Sequence, residues 1–178
     1  MSAMLSDPDL RSMLRGVRGL HRLALEGKDD DCPEAEAIRD ATDAPWQALS
    51  EADRQLVREL SEDLYSLTDP APGPRPTTPE VVATLDAIAE ARKRGDWQQA
   101  LILLRRGAEY LAPEQLSYLR GVVWQDAGDP ETAAIFLEHA ARLAPDSGAL
   151  KLTNVRIAEI MDEEDVAQYR DYFGRSAP

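Results

Sequence analysis

The chain has 178 residues, 43% of them apolar, and carries a net charge of −13. Its length suffices for one or two domains with a proper core. The acid surplus argues against nucleic acid, whose phosphates need a basic footprint; it makes a basic protein or peptide easier to attract, with solubility alone as the alternative reading of the acidity.

Cys32 is the one cysteine, so neither an intrachain disulfide nor a cysteine metal cluster is expected. No apolar run approaches the length of a membrane span. Asp7, Asp9 and Arg11 stand where a leader peptide would be apolar, so a cytoplasmic protein is expected.

In chain order, Leu10, Met13, Leu14, Val17, Leu20 and Ala24 recur at three- and four-residue spacing and predict a helix over 9–26, with Asp7-Pro8 at its start and Gly27 at its end. Arg11, Arg15, Arg18 and Arg22 form a second stripe. These arginines are expected to flank the core and pair with acids of a neighbouring helix, and only secondarily to form a basic rail. Asp29, Asp30 and Asp31 suggest a calcium loop, but Glu34 stands where that loop needs glycine and Pro33 where it needs a ligand, so a solvated turn is expected. A short helix over 34–42 should end before Pro45. Ser50 then caps a helix over 51–67, with Leu56, Val57, Leu60, Leu64 and Leu67 on one face. Residues 1–68 thus read as a three-helix module. Residues 69–79, DPAPGPRPTTP, read as a stiff proline-rich linker, with a proline-reading domain as an alternative partner. Helices are predicted over 79–94, 97–111, 114–127, 130–143, 147–161 and 163–173.

Beyond the linker the same pattern occurs twice. Gly95-Asp96 recurs as Gly128-Asp129, Ala100 as Ala133, Leu104 as Leu137 and Gly107 as Ala140, each 33 residues on; Ala112-Pro113 recurs as Ala144-Pro145 after 32. Glycine supplies a left-handed helix end, aspartate caps the next helix, and the alanines allow two helices to cross closely. Leu104 and Leu137 fill the space beside them, and Pro113 and Pro145 are expected to stop the second helix. A fixed period of this length marks a helix–turn–helix array.

The stretch resembles the tetratricopeptide repeat family over about residues 80–145. Gly121 and Trp124 stand at that family's first-helix glycine and aromatic; the first copy has Ile88 and Ala91 there. A degenerate third copy is suggested to about 173, because residues 162–167 echo 128–133. The expected fold is all-α, a helix-pair solenoid over 80–178 behind the three-helix module.

The resemblance implies that the first helix of each pair lines a concave groove. Val82, Leu85, Ala89, Arg92 and Lys93 would face it from the first copy. Gln115, Tyr118, Val122, Gln125 and Asp126 would do so from the second, and Leu152, Arg156 and Glu159 from the third. Leu85 and Ala89 occupy positions where some members clamp a carboxylate, so an extended or helical peptide is the expected ligand. The same apolar residues could instead dock on the N-terminal module or on a second subunit, giving a homo-oligomer.

His21 and His139 fall in different modules without a metalloprotease spacing, and His139 is expected at an exposed or rim position. Neither a glycine-rich phosphate loop nor a G-x-S-x-G serine occurs. The expectation is therefore a non-catalytic interaction module, a scaffold, chaperone or inhibitory partner, with no cofactor and no metal. An enzyme, or a regulatory subunit of one, with a site between the modules is the alternative.

Overall fold

The computed structural model describes residues 5–69 and 78–144, which belong to two compact units. All regular structure among these residues is helical. Helices α1 (Pro8–Leu25), α2 (Pro33–Ala48) and α3 (Glu51–Tyr65, closed by a 3-10 turn at Ser66–Thr68) form the first unit. Helices α4 (Pro79–Lys93), α5 (Trp97–Arg106), α6 (Pro113–Ala127) and α7 (Pro130–Leu143) form the second. The fold is all-α, and none of the described helices is long and apolar enough to cross a membrane. The expected linker core at 70–77 and the helices at 147–161 and 163–173, with Leu152, Arg156 and Glu159, lie outside the described residues.

In the first unit α1 packs between α2 and α3. Leu10, Met13, Leu14 and Leu23 are buried with Leu56, Val57, Leu60 and Leu64. Asp7 caps α1, accepting from the Asp9 amide at 2.8 Å, and Ser50 caps α3 through the Asp53 amide at 3.1 Å. The α1–α2 contact is close because Gly16 has no side chain: a Cβ there would stand 2.5 Å from Thr42 Cγ2. His21 is buried edge-on to the Tyr65 ring, at 5.5 Å. Burial pushes its imidazole below the ordinary value, and a hydrogen bond with the Leu64 backbone offsets some of that. Arg22 lies beside Glu26 on its own helix, at 3.9 Å, rather than pairing with a neighbouring helix.

Two boundaries differ from the sequence expectation here. The 3-10 turn takes over from α3 at Ser66, within the predicted helix. Helix α2 runs through Pro45 to Ala48 instead of ending near 42. Proline removes one amide from the ladder, which the last turn of a helix tolerates when its carbonyls are satisfied elsewhere. Arg54 does this, donating from Nε to the Trp46 carbonyl and from Nη2 to the Gln47 carbonyl, both at 3.1 Å. The Arg54 and Arg58 guanidinium groups also lie over the Trp46 ring, at 5.6 and 5.3 Å.

In the second unit the helices pack in sequence, α4 on α5, α5 on α6 and α6 on α7. Gly95 and Gly128 take left-handed backbones, with φ of 72° and 86°, and end α4 and α6. Asp96 accepts from the Gln99 amide at 3.0 Å and Asp129 from the Thr132 amide at 3.1 Å. Ala100, Leu104, Ala133 and Leu137 are all buried.

Helix α5 ends at Arg106, five residues before the predicted end, with Gly107 as its cap. The Tyr110 and Leu111 amides both turn back to the Gly107 carbonyl, which tucks Leu111 into the core. Pro113 therefore does not stop α5; it is the first residue of α6.

Candidate interaction surface

Helices α4 and α6, the first members of the two pairs, meet at a direct contact. Arg92 Nε donates to Asp126 Oδ2 at 2.6 Å, across 34 residues of chain. Both residues lie near the C-terminal ends of their helices, so those ends of α4 and α6 meet there. Residues three, seven and ten before Arg92 share its side of α4. They are Ala89, Leu85 and Val82. On α6, Val122, Tyr118 and Gln115 stand four, eight and eleven residues before Asp126, on its side of the helix.

The burial of this face is uneven. Val82 is 48% exposed, Ala89 and Gln115 are exposed, and Leu85, Tyr118 and Gln125 are half-buried. Val122 is 2% exposed, which corrects its assignment to an open groove. It is a short side chain between long ones, with Tyr118 one turn before and Asp126 one turn after. Gln115 accepts from the Ala112 amide at 3.3 Å, which commits its oxygen to the start of α6.

The charges also differ from the expected rim. Arg92 and Asp126 do not stand on opposite sides awaiting a ligand; they close on each other, both half-buried. Lys93 turns away, to Glu90 on its own helix at 2.5 Å. That bond holds the Lys93 ammonium above, and the Glu90 carboxyl below, their ordinary values. What remains available between the pairs is apolar and amide in character.

On the other side of α6 the helices approach closely. A Cβ on Gly121 would stand 2.5 Å from Leu137 Cγ and 3.0 Å from the Ala133 carbonyl oxygen. Arg120 lies over the Phe136 ring at 5.6 Å. One link here was missed from the sequence: Ser117 Oγ and His139 Nδ1 are 2.8 Å apart. His139, expected at an exposed or rim position, is half-buried, and Ser117 is 3% exposed. A serine–histidine pair can activate a nucleophile only where substrate reaches the hydroxyl and donors await the oxyanion. Ser117 is buried inside α6, and the pair ties α6 to α7. Their separation of 22 residues carries no motif; only the positions on facing helices could have signalled it.

Compared with protein-family models, curated proteins and solved structures, the chain matches none.

Proposed function

We propose that the chain is a non-catalytic protein-interaction module of tetratricopeptide type, in which the α4–α6 face receives an apolar stretch of a partner protein or peptide. The observation that carries this reading is the Arg92–Asp126 bridge. It joins two helices that are one sequence period apart, and it pairs two charges of the face with each other. Val82, Leu85, Ala89 and Tyr118 then offer contact area beside that pair.

Charge adds a second element. Residues 5–69 hold 16 acidic and eight basic side chains, whereas residues 78–144 hold ten and seven. Attraction of a basic partner is therefore assigned to the N-terminal unit, and short-range fit to the helix pairs. A cytoplasmic chaperone or inhibitory partner of a basic protein is the role that joins the two.

The test is capture from extract by wild type, Val82→Asp and Tyr118→Ala, with thermal melts run in parallel. A stoichiometric partner held by wild type and lost by both variants, with Val82→Asp melting as wild type does, is the expected result. Retention of the partner by both variants would contradict the assignment of this face.

A further inference from the structure

Helices α4 and α6 are the same helix of two copies, so their surfaces can be compared position by position. On α6 the stripe Leu116, Leu119, Val123, Ala127 follows helical three- and four-residue spacing. Val123 and Ala127 are fully buried and the two leucines half-buried, on a helix that packs on the preceding α5. Trp124, next to that stripe, stands 6.2 Å from Trp97 of α5. In the first copy the same four places, 33 residues earlier, are Ala83, Asp86, Glu90 and Arg94, and all four are exposed. Lys93 binds Glu90 and feels the charge of Asp86 as well, so the stripe's charges are balanced on α4 itself.

We propose that this stripe is the polar end of the array: α4 is its terminal helix, and no helix of a second copy stacks on it as α5 stacks on α6. Helix arrays need such an end, because a stripe built to meet a neighbour is apolar and insoluble when left bare. A helix carrying two acids and a base at the contact positions would make a stacked neighbour bury charge. The large exposed apolar side chain of α4, Val82, lies on the adjoining arc with Ala89. The inference holds whatever that arc binds.

The experiment places the same change in the two copies of the full chain. Ala83→Arg/Asp86→Arg puts two long cations on the α4 stripe, and Leu116→Arg/Leu119→Arg puts them on the α6 stripe. Thermal melts and sedimentation velocity are read for each. The first variant is expected to melt within about 2 °C of wild type, as exposed substitutions do, and to sediment as wild type does. The second is expected to lose at least about 10 °C or its cooperative transition, by burial of charge. A larger fall in the first variant, or a change in its sedimentation, would show that something already covers the stripe and would overturn the proposal. An unaffected second variant would overturn it too, because the α6 stripe would then not be a packing surface.

Discussion

In the second helix pair the space for close packing comes from Gly121 on the first helix, and bulk is returned three residues later by Trp124. In the first pair the same two positions are Ile88 and Ala91, large then small. All four residues are buried. Their partners across the crossing are alike, Ala100 and Leu104 in one copy, Ala133 and Leu137 in the other. The closest approach moves instead to the end of α5: a Cβ on Gly107 would overlap Thr84 Cγ2, where the second copy has Ala140 and Ser117. The two copies thus fill similar space with opposite orders of large and small, which cores tolerate when the summed volume is kept. A departure from a repeat signature at one position is better judged with its compensating neighbour than alone.

Exchanging residues between the copies tests this. Trp124→Ala, which writes the first copy's residue into the second, should cost about 3–5 kcal/mol in urea unfolding. The indole nitrogen Nε1 of Trp124 is buried without a hydrogen-bond partner among the described residues, so the side chain is kept there for its volume. Gly121→Ile alone should cost about 1–3 kcal/mol through collision with Leu137 and the Ala133 carbonyl. The double exchange should cost less than the two together, since each change relieves some of the other's misfit. Strict additivity would mean that the two positions do not compensate.

The caps give a smaller contrast. Asp129 is buried and accepts from both the Thr132 amide and the Thr132 hydroxyl, at 3.1 and 2.7 Å, whereas Asp96 is exposed and the Gln99 amide is the donor it receives. Asp129→Ala should therefore cost about 2 kcal/mol and Asp96→Ala about 1 kcal/mol, the top and middle of the cap range. Equal losses by denaturant titration would show that the buried cap adds nothing over the exposed one.

Local signals were legible where one residue's own chemistry decides the outcome. Gly95 and Gly128 take the left-handed backbone, Asp96 and Asp129 cap, and Ala133 lies at the crossing. Signals that depend on a distant partner were not. Helix α2 continues past Pro45 because Arg54, on the next helix, satisfies its last carbonyls. Helix α5 stops at Arg106, where Gly107 lies against Thr84 on α4, a residue more than twenty positions away. Periodicity put Val122 and Asp126 on one face of α6. It could not say that the first would be buried, or that the second would be taken up by Arg92. The charge of Lys93 was visible, but its turn toward Glu90 is a choice among nearby acids.

The meeting of α4 and α6 at Arg92 and Asp126 underlies the proposed binding face, and a double-mutant cycle on these two residues tests it most directly. Both side chains are half-exposed, so water and salt weaken the pair and its coupling is expected to be only about 0.5–1 kcal/mol at low ionic strength. Arg92→Ala, Asp126→Ala, the double variant and the exchanged pair Arg92→Asp/Asp126→Arg are unfolded in denaturant at low and high salt. The account predicts a coupling of that size that shrinks with salt, and recovery of most of the loss in the exchanged pair. Additive losses at low salt, with no recovery on exchange, would contradict it.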